Sequence, residues 1–314
     1  MIGEALRALL SGAFGSWYAF GSGTLVRATP LILTGLAVAV AFRAGVFNIG
    51  AEGQFLMGAV AQATIALTLH ALPAVVLLPL ALGAGAVAGA LWAGIAAVMR
   101  TRFHVLEVIS TIMLNFVALY LVSYLVRGPL QEPTHIYPQT SSITDAARLP
   151  RFGNQTRLHL GFAIAIVACV AAWWAIKYSA SGFRLRVVGA NPFAARSAGL
   201  IDADRTATRA FLVSGALAGL GGAIEVAGVT FALYENISPG YGFTAIAVAL
   251  LARLNPAAVI VTGIAFGALE AGAAAMQRDA GVPSVVVSVV EALIILALVA
   301  FDRVRAQRLI HARA

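Results

Sequence analysis

The only lysine is Lys177, and Tyr178 follows it, so this chain cannot build the Gly-Lys-Ser/Thr phosphate loop of a P-loop ATPase. The only cysteine, Cys169, lies inside an apolar segment; no internal disulfide is possible, and it reads as packing. His70, His104, His135, His159 and His311 are scattered without zinc-ligand spacing, and no Gly-x-Ser-x-Gly elbow occurs. No metal, cofactor or catalytic constellation is therefore expected. Charge is scarce as well: 11% of the residues are charged, against 61% hydrophobic. A soluble domain of 314 residues cannot hide that much apolar surface. Lipid as the solvent removes the difficulty, because helices there are apolar all round and satisfy their own backbone groups.

What charge exists is basic, with a net charge of +8 and a pI near 10.4. Nucleic-acid binding does not follow, because the arginines lie in short clusters between apolar runs, the pattern that the positive-inside rule produces. A spanning helix needs roughly 20 apolar residues. About nine segments approach that length, at roughly 28–42, 46–69, 73–99, 103–126, 160–178, 207–230, 242–254, 256–275 and 284–301. The first and seventh are short, and read as broken or tucked-in helices. The expectation is an all-α, polytopic transmembrane helical bundle with a cytoplasmic C-terminus, in a bacterial inner (cytoplasmic) membrane.

Arg100 and Arg102, then Lys177, Arg184, Arg186, Arg196, Arg205 and Arg209, and finally Arg303, Arg305 and Arg308 place three segments in the cytoplasm. Arg43 and Arg253 fall on the same side. Residues 1–27 read as a lead-in without a signal peptide's basic start and clean apolar core; Trp17, Tyr18 and Phe20 suit either an interface or a loose segment. Residues 28–301 form the membrane domain and 302–314 a cytoplasmic tail. The stretch 127–159, with Pro129, Pro133, Pro138 and Pro150, is an external loop, and 179–206 is a large cytoplasmic one. Gly85/Gly89, Gly215/Gly219 and Gly263/Gly267 are small-xxx-small pairs that let helices approach closely. The run Gly219-Leu220-Gly221-Gly222 predicts a thin or flexible patch.

Glu52, Glu107, Glu225, Glu270 and Glu291 interrupt apolar segments. A mid-membrane carboxylate costs about 2.5–3.5 kcal/mol on insertion scales, so each faces a wet cavity, pairs with a partner, stays protonated or sits at a helix end reaching the interface. Glu52 has the richest surroundings. Gly45, Gly50 and Gly53 weaken the helix there, and the spacing of Asn48 and Glu52 predicts one shared helical face. The stretch is either an interrupted helix lining a cavity or a solvated cytoplasmic connection.

The residues Arg43-Ala44-Gly45-Val46-Phe47-Asn48-Ile49-Gly50-Ala51-Glu52-Gly53-Gln54 closely resemble a signature of ABC-importer permeases that serve branched-chain amino acids, ribose and nucleosides, nearest the nucleoside and simple-sugar branch. Thr29-Pro30-Leu31-Ile32-Leu33-Thr34-Gly35-Leu36 and Thr111-Ile112-Met113-Leu114-Asn115 are similar to further segments of that branch. Gly182-Phe183-Arg184-Leu185-Arg186-Val187-Val188-Gly189-Ala190-Asn191-Pro192-Phe193-Ala194-Ala195 resembles the family's coupling segment, except that Phe193 stands where the wider loop has glutamate. Its composition suits a short helix opening at Pro192 and ending at Gly199.

The resemblance implies a transport subunit rather than an enzyme. It implies a cytosolic ABC ATPase, a second and related permease chain, an external substrate-binding lipoprotein and membrane lipid as partners, with no nucleic acid. A nucleoside is the expected cargo and a simple sugar the alternative. Phe47, Asn48, Glu52, Gln54 and Asn115 are the expected substrate-pathway residues. Gly182, Arg184, Arg186, Gly189, Asn191, Pro192, Ala194, Ala195 and Gly199 are the expected ATPase-coupling residues. Members of the family have about ten helices, so the shortfall points to a missing first one. An ion-coupled transporter carrying protons on Glu52 or Glu225, and a membrane-embedded enzyme, are the rival readings.

Overall fold

An apolar run in lipid can satisfy its backbone only by coiling into a helix, and helices account for most of the chain. The computed structural model describes residues 2–153, 155–197, 199, 201–287, 289–290, 292–293 and 296–297. Helix α1 covers Ile2–Phe14, and π-helical turns over Ala19–Leu25 run directly into α2, Val26–Arg43. Then come α3 (Ala51–Thr68), α4 (Ala74–Phe103), α5 (Glu107–Arg127) and α6 (Gly161–Tyr178). Two short helices follow, α7 (Ala180–Ala190) and α8 (Pro192–Ser197). Helix α9, Ala203–Glu225, continues as π-helical turns over Val226–Thr230, before α10 (Tyr241–Leu251) and α11 (Pro256–Ala280).

Among the described residues, 6 helical stretches are long and apolar enough to cross a membrane. The apolar stretch of Ala19–Arg43 is 83% buried, against 22%, 28% and 22% for α4, α5 and α6. The Ala19–Arg43 helix is therefore an inner helix, while α4 to α6 turn wide faces to lipid. Helix α9 packs against α2, α3 and α4. It does so through its glycines: a Cβ on Gly219 would overlap the Gly85 carbonyl oxygen, and one on Gly215 would overlap that of Gly89. The expected close approach is thus realised between α4 and α9, and the Gly219–Gly222 run is thin because backbone fills the space. Gly263 and Gly267 admit α2 in the same way, against Ile32 and Ala28.

Several boundaries differ from the sequence reading. The first span opens at Ala19 rather than 28, so it is not short. Gly21 and Ser22 in that stretch are buried, and the Ser22 hydroxyl accepts the Arg157 N–H at 2.9 Å. The lead-in also contains α1, which packs on α11 where Gly12 meets Ala275. The second expected segment becomes helical at Ala51 rather than 46, because residues 45–49 leave the helix, and α3 is not among the 6 stretches long and apolar enough to cross. The seventh is short as expected, at 11 residues. Residues 288, 291, 294, 295 and 298–301 of the ninth segment, Glu291 among them, lie outside the described residues, as do Arg303, Arg305, Arg308 and the 302–314 tail.

Two ends of the bundle are distinguishable. At one, the last turns of α2 and α4 meet the starts of α5 and α9, and Arg100 pairs with Glu107 at 3.5 Å. Here Arg43 donates to the Leu254 carbonyl at 3.0 Å, and α7 packs beneath. At the other end, the 127–159 segment grips the chain after α9. The Thr140 N–H donates to the Leu233 carbonyl and that of Ile143 to Phe231, both at 2.8 Å. Arg127 clasps Glu235 with two hydrogen bonds, at 3.1 and 2.7 Å. Those bonds, with one from Ser123, hold the Glu235 carboxyl below the usual carboxylate range.

His159 sits in this second layer, fully buried, its ring against Gly161 and Gly228. Its Nδ1 accepts the Gly161 N–H at 3.2 Å, and its Nε2 has no hydrogen-bond partner among the described residues. Burial, with Arg151 and Arg157 nearby, pushes its pKa down to about 4. Between pH 6.5 and 4 the unfolded chain takes up a proton that the folded one refuses, so stability falls as the pH falls through that window. The slope integrates to roughly 3 kcal/mol at 1.36 kcal/mol per pKa unit. Thermal melts in detergent from pH 7 to 4 should show that decline for the wild type and a shallower one for His159→Gln.

Gln62 on α3 is also fully buried, and neither end of its amide has a partner among the described residues. A buried unpaired amide costs about 1–3 kcal/mol, so Gln62→Met should raise the melting temperature in the same assay.

Candidate functional site

After Arg43 the chain leaves the helix through Gly45, at φ +73°, and turns back into the bundle. Asn48, completely buried, organises the return. Its Oδ1 accepts the Gly50 N–H at 2.9 Å and the Gln54 amide at 3.0 Å. Its Nδ2 donates to Gln54 Oε1 at 3.0 Å and to the Ser214 hydroxyl at 2.9 Å, and that hydroxyl donates to the Ala37 carbonyl at 2.7 Å. Asn115 on α5 completes the clamp, donating to the Ile49 carbonyl at 2.9 Å and accepting the Gly53 N–H at 2.8 Å. The Ile49 N–H donates to the Thr111 hydroxyl at 3.3 Å. Signature residues from 48 to 54 and 111 to 115 therefore form one network joining α2, α3, α5 and α9. A network so fully paired fixes a single arrangement of four helices.

Glu52 points the other way. Asn48 and Glu52 do not share a helical face, because Asn48 precedes α3 and the turn at Gly50 reorients it. The Glu52 carboxylate accepts the Gly242 N–H at 2.6 Å and a hydrogen bond from the Ser238 hydroxyl. Ser238 in turn accepts the Gly240 and Tyr241 N–H groups, each at 3.1 Å. Glu52 thus caps α10, where the helix dipole favours negative charge. Eleven residues span about 16 Å at 1.5 Å each, close to half of a hydrocarbon core of ~30 Å. Helix α10 is a half-length helix whose N-terminus lies inside the bundle. Phe47 differs from the other four pathway candidates: its ring is 53% exposed and packs edge-on to Phe42 at 5.3 Å.

The segment that resembles the family's coupling segment is two helices rather than a loop with one. Ser179 caps α7 by accepting the Gly182 N–H at 3.0 Å, and Gly182 lies flat on the Ala175 and Ile176 backbone. Arg186 donates to the Ile176 and Lys177 carbonyls at the end of α6, while Arg184 is exposed beside it. Asn191 breaks the chain, and its side chain caps α8 by accepting the Phe193 and Ala194 N–H groups at 3.0 Å each. Pro192 opens α8 as expected, and Gly199 follows at φ +67°. Ala195 is buried against α7 and the start of α9, while Ala194 and Phe193 face outward, Phe193 at 75% exposure.

The two resemblance-bearing segments touch. A Cβ on Gly189 would overlap the Arg43 carbonyl oxygen, and one on Gly45 would come within 3.5 Å of the Gly189 Cα. From there Arg43 reaches Leu254 at the end of α10. The structure therefore joins α7 to the segment just after the half-length helix α10 through the turn at Arg43–Gly45.

Glu107 is a helix-end residue paired with Arg100, but Glu225 and Glu270 share a polar cavity of about 450 Å3 with Arg27, Tyr234, Tyr241 and Gln277. Sequence reasoning named the glutamates without bringing them together. Arg27 was the missed signal, because it fell in a stretch read as lead-in.

A bundle of inner and exposed apolar helices, with a half-length helix tied to the short helices α7 and α8, suits a multi-pass membrane permease. The family described as "Branched-chain amino acid transport system / permease component" matches residues 21–299, and the chain belongs to that family. It is 43% identical over 285 residues to the glucose ABC transporter permease protein TsgB13 of Haloferax volcanii, covering 88% of this chain and 74% of that one. The guanosine ABC transporter permease protein NupP of Bacillus subtilis is 40% identical over 301 residues, covering 94% and 85%. The nucleoside ABC transporter permease protein NupB of Lactococcus lactis is 35% identical over 296 residues, covering 91% and 80%. No solved structure matches. The chain is thus a transport subunit of an ABC importer, a multi-pass protein of the bacterial inner membrane. Membership implies an ATPase and a substrate-binding protein as partners.

Proposed function

We propose that this permease moves nucleosides inward, paired with a second, related permease chain and supplied by an external substrate-binding lipoprotein. Helices α7 and α8, within 179–206, face the cytosolic ATPase, and 127–159 faces outside, because the arginine-rich end follows the positive-inside rule. The exposed Phe193 and Ala194 of α8 supply an apolar contact where an acidic one is usual. The observation that carries the reading is the contact of Gly189 with the Arg43 carbonyl. Closure of the ATPase displaces α7, and Arg43 passes the displacement to Leu254 and α10. Asn48, Gln54 and Asn115 spend their polar groups on the fold, so they act on the pathway by fixing its walls. Glu52 holds the N-terminus of α10, and the exposed ring of Phe47 meets the solute. The two ATPase states need only favour different positions of α10 to switch access.

Nucleosides rather than sugars follow from the guanosine and nucleoside permeases among its relatives and from the tyrosines of the cavity. The glucose permease among its relatives makes a sugar the competing cargo. Vesicles carrying both permease chains, the ATPase and the binding protein should take up labelled nucleoside on ATP addition, with unlabelled nucleosides competing and glucose not. Competition by glucose alone would assign the sugar instead.

A further inference from the structure

The polar cavity has no partner in the mechanical account above, and its chemistry is specific. Arg27 lies near the start of α2, some 24 Å of helix from Arg43 at 1.5 Å per residue, so the cavity belongs to the half of the bundle away from the coupling helices. Arg27 is close enough to Glu225 to interact electrostatically, and Tyr241 feels both Glu225 and Glu270. Tyr241 is fixed: its ring is buried and packs edge-on to Phe55 at 5.7 Å. Tyr234 is 37% exposed and stands on the segment after α9 that Arg127 clasps through Glu235. A volume of about 450 Å3 falls within the roughly 300–1,000 Å3 of small-molecule sites. A mostly apolar helical bundle has no structural use for such a concentration of polar groups; intramembrane ionisable residues mark solute pathways.

We infer that this cavity is the site where the translocated solute rests, and that it selects an uncharged, polyhydroxylated molecule carrying an aromatic ring. Carboxylates and the guanidinium pair with ribose-type hydroxyls, and Tyr234 offers a ring face to a base. Arg27 and Arg157 both act on Glu225, so acidic and basic groups balance around the cavity and it suits an uncharged nucleoside. This assignment rests on the nucleoside reading above and gives it a location. The floor of the cavity is α10, which places the solute on the element that the coupling helices move.

The test uses the complete reconstituted importer with Cys169→Ala and Ala274→Cys, Ala274 being one of the cavity's small lining residues. Attachment of a bulky maleimide should lower nucleoside import at least tenfold, whereas the same label at Thr134→Cys, on an exposed external turn, should not. Tyr234→Ala should lower import similarly, because its ring meets the base. Co-purification of ATPase and permease confirms assembly of each variant. Unchanged nucleoside import by labelled Ala274→Cys, together with unchanged import by Tyr234→Ala, would overturn the site. Wild-type import of glucose but not nucleoside would overturn the cargo reading instead, and the maleimide block on glucose import would still locate the pathway.

Discussion

Gly189→Leu is expected to lower ATP-driven import more than tenfold while the protein remains inserted and still co-purifies with its ATPase. The α7 backbone lies so close to the end of α2 that a methyl group at residue 189 already overlaps the Arg43 carbonyl. A leucine must push α7 away, and overpacking of this kind costs about 1–3 kcal/mol. That cost falls on a peripheral helix, not on the α4–α9 seam, so the bundle tolerates it. On the proposed coupling, what is lost is the contact by which α7 moves Arg43, and with it the pull on Leu254 and α10. ATP hydrolysis should continue without import. Gly189→Ala should fall between the two, since only one carbon must be accommodated. Import and hydrolysis measured on the same proteoliposomes check both.

Gly219→Leu should have a larger and different effect, the loss of folded protein. A Cβ at residue 219 would overlap the Gly85 carbonyl oxygen and sit 2.9 Å from the Gly89 Cα. Backbone is on the other side, so no rotamer relieves the overlap. Helices α4 and α9 must separate along the seam, and the cost reaches or exceeds the ~3 kcal/mol upper end of ordinary overpacking. Against a total stability of about 5–15 kcal/mol, yield in detergent should fall severalfold, with early melting of what remains. Gly83→Leu is the control: it lies on the same helix as Gly85, and a Cβ there meets nothing within 4 Å. It should express as the wild type does.

The sequence revealed some of this directly. Glycine pairs four residues apart have one common use in apolar helices, and Gly85/Gly89 with Gly215/Gly219 meet as that use requires. Asn191-Pro192 carries both halves of a helix start, and α8 begins there. Other features were hidden because their signal is tertiary. Gly21-Ser22-Gly23 has loop composition, and only the Arg157 N–H and the packing of α11 make it part of a spanning helix. Asn48 and Glu52 have helical spacing, yet the Asn48 side chain captures the Gly50 N–H and ends that register. The cavity was invisible because Arg27, Glu225, Tyr234 and Glu270 come from separate parts of the chain, and no periodicity joins them.

ATP dependence of import separates a coupled ABC permease from an ion-driven carrier that uses Glu52 or Glu225 for protons. Proteoliposomes holding the permease chains, ATPase and binding protein should import nucleoside only with ATP, should ignore a protonophore, and should lose import with Gly189→Leu. Import that survives ATP depletion, collapses with the protonophore and is untouched by Gly189→Leu would contradict the account.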